Sequence, residues 1–277
     1  MHLAVGVVTY HNEIQELARF CKAFEIAVQK MPPHHSVALI WIDNGHPQKP
    51  CTPLSQWIPQ AVCLPSEGNV GYTRSINRIM RQAFEKLGVD AFVSANPDGA
   101  FHHLTLENFI RHHLSHPTAL LEAKQFPEEH PKVFDPQTLE TPWSSGCCLF
   151  IPKLLYKTIG PLDDQFFMYM EDVDFSWRTR AMGFPVKLCP DALYAHAVVN
   201  RSVNEVSIHQ HYLSARYLGW KWGHRRFFRW AEKTLLKKKG FTRQTLPELP
   251  KQRPSFSWKQ KRVTCFGKVF SFGERRW

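Results

Sequence analysis

No run of the chain approaches ~20 consecutive apolar residues, so no transmembrane helix is expected. No CxxC pair is present, and the cysteines number seven, an odd count; they read as scattered reduced thiols rather than a disulfide or zinc framework. Low-complexity tracts and internal repeats are absent too, which excludes solenoid and disordered architectures. The N-terminus runs straight into an apolar, β-branched stretch with no basic segment before it, so no secretory signal is expected and the cytosol is the expected compartment. What remains is globular: 277 residues, 43% apolar and 13% aromatic, enough for one sizeable core or a catalytic domain with an extension, but not for two full-sized enzymes.

Positive charge is in excess, and at one end only. Residues 1–214 hold 17 Lys and Arg against 21 Asp and Glu, whereas residues 215–277 hold 18 against 3. The net charge of +11 therefore belongs to the C-terminal part.

Over residues 1–98, short apolar runs ending in polar residues alternate with helical patterns. Residues 3–10 read as a strand, and residues 13–30 as an amphipathic helix with Ile14, Leu17, Ala18, Cys21, Phe24 and Val28 on its apolar stripe. Apolar runs at 36–43 and 61–64, a helix over about 72–87 and a strand opening 91–98 follow. This βαβ rhythm predicts an α/β protein with a mostly parallel sheet flanked by helices. From about residue 99 the pattern turns α+β: a helix at 105–114, a strand at 147–151, Pro152 opening a short helix at N1 that Gly160 stops, and a strand at 186–195 interrupted by Pro190 and Asp191.

Ligands of such sheets bind beyond the carboxyl ends of the strands. Thr9, Asp43 and the Asn96-Pro97-Asp98 turn fall there. Asp43 can accept hydrogen bonds from a base or ribose, although Asp-Asn-Gly is also an ordinary turn. The glycine-bearing turn Glu67 to Gly71 leads into a helix, where backbone N–H groups can approach a phosphate and Arg74 could neutralise it; such turns also occur without ligands. A carboxylate such as Asp98 at a strand end can hold Mg2+ or Mn2+, and His196 ending another strand could be a further ligand. In the stretch QFFMYMEDVDFSWR, Glu171, Asp172 and Asp174 open a helix whose buried stripe would be Met170, Val173, Trp177 and Ala181. Acids at a helix N-terminus complement the macrodipole, but three carboxylates beside apolar walls also suit a general base of raised pKa.

Taken in order, VGVVTYHN (5–12), WIDNG (41–45), GNVGYTRSIN (68–77), SANPD (94–98), SSGCCLFIPK (144–153) and above all residues 160–196 resemble the family 2 bacterial glycosyltransferases, in particular their rhamnosyltransferase-like branch. The resemblance covers about residues 3–205. It implies the GT-A nucleotide-sugar-binding fold, Rossmann-like, with a nucleotide-binding half at 1–98, an acceptor-binding half at 99–205 and a basic, aromatic C-terminal extension at 206–277. It further implies an inverting transfer of a hexose, rhamnose included, from a nucleoside-diphosphate donor to a glycan or lipid-linked glycan in surface polysaccharide synthesis. Thr9, Asp43, Asn69, Gly71, Arg74 and Asn96 would then contact the donor. Asp98 would hold the divalent cation, Mg2+ or Mn2+, with His196 completing that site, and Asp172 would be the base supported by Glu171. Asn96 replaces the first acid of the metal motif, which leaves a single carboxylate there. A sugar-phosphate nucleotidyltransferase and a non-catalytic glycan- or nucleic-acid-binding protein are the alternatives.

In the basic part, Leu213, Tyr217, Trp220, His224, Phe227, Ala231 and Leu235 fall at helical spacing, with Arg225, Arg226, Arg229 and Lys233 largely off the stripe. Such a helix suits the anionic surface at the cytoplasmic face of a membrane; equally, it could pack on the catalytic domain with its basic face in water. No nucleic-acid module accompanies the charge, so no nucleic-acid partner is expected.

Overall fold

A computed structural model of the protein describes residues 1–45, 52–127, 134–196 and 205–254. In chain order its elements are β1 (His2–Thr9), α1 (Ile14–Lys30), β2 (Ser36–Asp43), α2 (Thr52–Trp57), β3 (Val62–Cys63), α3 (Tyr72–Arg81), β4 (Ala91–Ala95), β5 (Ala100–Phe101), α4 (Thr105–Ser115), β6 (Leu120–Phe126), β7 (Cys148–Pro152), α5 (Lys153–Ile159), α6 (Glu171–Ala181), β8 (Val186–Ala195), α7 (Glu205–Lys221) and α8 (Arg225–Lys238). They form one eight-stranded sheet in the order β3-β2-β1-β4-β7-β6-β8-β5. The half made of β3, β2, β1 and β4 is parallel; β7 then runs antiparallel to both β4 and β6. Alternation along β1 sends Leu3, Val5 and Val7 to the core on one face and Ala4 and Val8 to the core on the other, as a sheet covered on both sides requires.

Most of the anticipated elements form, with corrections that have physical causes. β6 was not expected, because Glu122 and Lys124 break its apolar run; yet Glu122 is buried, held between β7 and β8. The interruption at Pro190 is a register shift against β6: Cys189 pairs with Ala123 and Leu193 with Lys124, so the intervening residues lie outside the ladder. Pro152 is the N-cap of α5 and still the last residue of β7, rather than N1. Helix α3 ends at Arg81 and its last stretch, Gln82–Lys86, widens into a π turn. Cys21, Cys147, Cys148 and Cys189 are buried free thiols, but Cys63 is disulfide-bonded, which corrects the reading of all seven as reduced.

The helical stripe of the C-terminal part is not one helix. Gly223, at a φ of 70° that suits glycine, turns the chain back, and His224 caps α8 by accepting from the Phe227 N–H at 3.1 Å. Gly219 lets the two helices cross closely, since a Cβ there would stand 2.8 Å from the Phe228 nitrogen. The hairpin packs on α6: Met170, Val173, Trp177 and Ala181, the stripe expected from the sequence, share a buried cluster with Ala215, Tyr217, Leu218 and Ala231. The basic residues beyond 254 lie outside the described residues.

At the centre of that contact is a buried ionic cluster. Lys221 Nζ donates to Asp174 at 2.7 Å and to Asp163 at 2.6 Å, and Arg178 Nε and Trp222 Nε1 donate to Asp174 at 2.9 Å each. Removing one partner of such a set strands the others in a low dielectric. Lys221→Met should therefore cost about 3–5 kcal/mol, read from the urea midpoint. Burial opposes the charge of Asp163, but the Lys221 ammonium and donors from Gln165 N–H and Tyr217 O–H outweigh it and hold the carboxyl below its usual 3.8. The stability this contributes is full above the unfolded-state value and is lost as pH falls through the folded one. Asp163→Asn should accordingly flatten the fall of the urea midpoint between about pH 5 and pH 2.

Candidate active site

The carboxyl edge of the parallel half assembles the first group. Thr9 ends β1 directly opposite Asp43 at the end of β2. Asp43 Oδ1 accepts from the Gly45 N–H at 2.8 Å, which closes the turn and brings it against His11, a residue at φ 52°. Asn44, buried, accepts from Ser75 Oγ at 2.7 Å and donates to the Gly71 carbonyl at 3.1 Å, tying this turn to the N-terminus of α3. Asn69 Oδ1 accepts from the Gly71 N–H at 3.3 Å. Gly71 is the N-cap of α3 at φ 87°, and a Cβ on it would meet the Phe167 carbonyl at 2.4 Å.

The second group surrounds the end of β4. Tyr194 O–H donates to the Asn96 carbonyl at 2.6 Å, and Arg19 donates to the Asp98 carbonyl at 3.3 Å. Pairing of β5 with the end of β8 brings His196 to Asp98, with Nε2 3.5 Å from Oδ1 and both side chains buried. An oxygen plus an imidazole is a donor pair that would suit Mn2+ or Mg2+, ions that keep water or substrate oxygens as their other ligands. Among the described residues no cluster of three or more His, Cys, Asp or Glu is placed to hold a metal. The pair fits half of a site whose remainder a diphosphate would supply.

The third group is the N-terminus of α6. Tyr169 and Met170 lie in the left-handed region, φ 69° and 65°, so the chain turns sharply before Glu171. Asp172 Oδ2 accepts from the Gly146 N–H at 2.8 Å and Oδ1 from the Val173 N–H at 2.8 Å. Gly146 precedes β7, which pairs with β4 as far as Ala95, so this bond carries Asp172 to the edge that holds Asn96 and Asp98. Glu171 is buried, and its Oε2 has no hydrogen-bond partner among the described residues. Burial, and then the Asp172 carboxylate, push Glu171 well above the usual glutamate range. Burial and the Glu171 and Asp172 charges likewise raise the hydroxyl of Tyr72, against a hydrogen bond with Ser94. Asp174, next along the helix, turns inward to the ionic cluster and has no place at the edge.

Arg74 lies in the first turn of α3. It is exposed and lines a groove of about 650 Å3 with Arg78, Arg81, Asp163 and Lys221, which none of the other candidate residues lines. Gly146, Tyr72 and Lys221 are the contributors that sequence reasoning did not single out. Gly146 acts through its backbone N–H and Tyr72 through burial beside the acids, and Lys221 was one basic residue among many.

The two acids therefore have different environments, and the difference is testable. If Glu171 acts as a neutral, proton-holding neighbour, Glu171→Gln preserves its charge state and shape. That variant should retain activity within about tenfold, whereas Asp172→Asn should not.

No family model matches the chain. In sequence it is similar to an N-acetylglucosaminyl-diphospho-decaprenol L-rhamnosyltransferase of Mycobacterium tuberculosis, 25% identical over 79% of this chain and 86% of that protein. It is also similar to the low-salt glycan biosynthesis hexosyltransferase Agl10 of Haloferax volcanii, 22% identical over 55% of this chain and 57% of that protein. In structure it resembles a mannosyltransferase of Pyrobaculum calidifontis in complex with GDP-Man and Mn2+ at a TM-score of 0.61, 17% identity, covering 84% of this chain and 69% of that one. It resembles TarS of S. aureus in complex with UDP at a TM-score of 0.54, 15% identity, covering 86% and 77%. The mixed sheet, its carboxyl-edge site and these relatives agree: the chain is a glycosyltransferase with the GT-A fold.

Proposed function

We propose that the protein is an inverting transferase that moves a sugar from a nucleoside-diphosphate donor to a hydroxyl of a lipid-linked glycan in the synthesis of a bacterial surface polysaccharide. The relative from Mycobacterium tuberculosis, whose name specifies a diphospho-polyprenol acceptor, supports the acceptor class. The observation that carries the reaction is the fixed carboxylate of Asp172, pinned by two backbone N–H groups at the edge where Asp98 and His196 meet.

An acceptor hydroxyl, whose pKa lies far above neutrality, needs a positioned base to take its proton as it attacks the anomeric carbon. Asp172 is that base. The bond from the anomeric carbon to the diphosphate oxygen breaks as the new glycosidic bond forms on the opposite face, so the configuration inverts. Thr9, Asp43, Asn96 and the turn carrying Asn69 and Gly71 hold the nucleotide end of the donor. Asp98 and His196 would hold Mg2+ or Mn2+, whose charge would neutralise the departing diphosphate. Burial and the Asp172 carboxylate raise the Glu171 carboxyl and so favour its protonated form, which would spare Asp172 a second negative charge at its side.

The exposed face of α8 supports a peripheral position at the cytoplasmic surface of a membrane. Arg225, Arg226, Arg229 and Lys233 are exposed there beside Trp230, and no described helix is long and apolar enough to cross a bilayer.

Asp172→Asn should lower kcat by about 10²–10⁴ while leaving donor binding, measured by thermal shift with nucleotide sugars, unchanged. Unchanged transfer would remove Asp172 from the role of base. The protein should also sediment with phosphatidylserine-containing vesicles in a salt-sensitive manner, and Arg225→Glu with Arg229→Glu should release it.

A further inference from the structure

Five aromatic rings form a continuous surface track that begins two residues before Glu171. Tyr169, 37% exposed, meets the His211 ring edge-on at 5.6 Å. His211 meets Tyr212 at 6.0 Å, Tyr212 meets Trp230 at 5.5 Å, and Trp230, 42% exposed, stacks on Phe227 at 5.3 Å. Both ends are held firmly. Ser214 Oγ donates to the Met168 carbonyl at 2.7 Å, which anchors the Tyr169 turn to α7, and the helix crossing at Gly219 fixes α8 against α7. Neither exposed ring is needed for the core, since the buried cluster beneath is filled by Met170, Val173, Trp177, Ala215 and Leu218.

A track of half-covered rings is costly to leave in water and suits an amphipathic ligand with apolar faces and polar edges. Its two ends differ in charge. The Tyr169 end stands two and three residues ahead of Glu171 and Asp172 in the chain, whereas the Trp230 end is rimmed by exposed Arg226, Arg229 and Lys233. A neutral saccharide fits the first end and an anion the second. We infer that this track binds the acceptor, with the apolar face of its sugar on Tyr169 and its diphosphate-bearing carrier directed along Tyr212 and Trp230 to the cations of α8. The inference rests on the reading of Asp172 as the base, because that reading makes the Tyr169 end the place where the acceptor hydroxyl must arrive.

The test uses the full chain and a readout independent of turnover: sedimentation with zwitterionic phosphatidylcholine vesicles, with and without N-acetylglucosaminyl-diphospho-polyprenol. Wild type should bind the loaded vesicles selectively. Tyr169→Ala and Trp230→Ala should each weaken that binding about tenfold, and Tyr169→Phe, which keeps the ring, should restore it. Both alanine variants should keep the thermal shift that nucleotide sugars give wild type, which separates loss of the track from loss of the fold. Asp172→Asn should bind the loaded vesicles as wild type does, so a failure of the catalytic reading appears as unaltered transfer in that variant and leaves the vesicle result intact. Equal binding of wild type to loaded and empty vesicles, or undiminished selective binding by both alanine variants, would overturn the inference.

Discussion

A buried carboxylate must find cations or lose its charge, and Asp174, with no exposure at all, finds three donors at once in Arg178, Lys221 and Trp222. Two of these, Lys221 at the end of α7 and Trp222 just after it, lie about fifty residues further along the chain, and Lys221 also reaches Asp163 ahead of α6. Few relative positions of α6 and the hairpin satisfy all of these bonds together. The N-terminus of α6, and with it Glu171 and Asp172, is placed by that requirement. The C-terminal hairpin is in this sense part of what places the candidate site, and its basic outer face is what remains after the inner face has met this demand.

The rest of the site follows from the same anchoring. The segment between Asp163 and Met170 is held at both ends: by Lys221 and Tyr217 on Asp163, and by Ser214 on the Met168 carbonyl. Its Phe167 carbonyl lies so close to Gly71 that only a residue without a Cβ fits. The turn that carries Asn69 and Gly71 is thereby in direct contact with the segment leading into α6, although one belongs to the parallel half of the sheet and the other follows the antiparallel part. Two adjacent carboxylates then divide their roles by environment. Glu171 is buried with no partner for Oε2 among the described residues, and Asp172 is clamped by two N–H groups.

Much of the fold was legible because the signals were local. The apolar runs of β1, β2 and β4 and the amphipathic period of α1 need no tertiary information, and strand-end residues Thr9, Asp43 and Asp98 follow from the parallel sheet those runs imply. β6 was not legible, since a buried Glu122 contradicts the pattern by which buried strands are recognised. The hairpin was half legible: the apolar period was right, but its continuation across Gly223 conceals a reversal that only packing against α6 makes favourable.

The sequence by itself determined the class of the molecule and the edge of the sheet where strand-end polar residues gather, because residue type and period decide these. It singled out Asp172 over Asp174 only through the family resemblance, without the physical cause of their separation. Both stand in the first turn of one helix, and their separation comes from distant partners, the Gly146 N–H for one and Lys221 for the other. Nor could the sequence set the distance of 3.5 Å at which Asp98 and His196, 98 residues apart, meet. Those outcomes depend on which long-range contacts satisfy buried charge and backbone polarity, a condition imposed by the whole fold rather than by any segment of it.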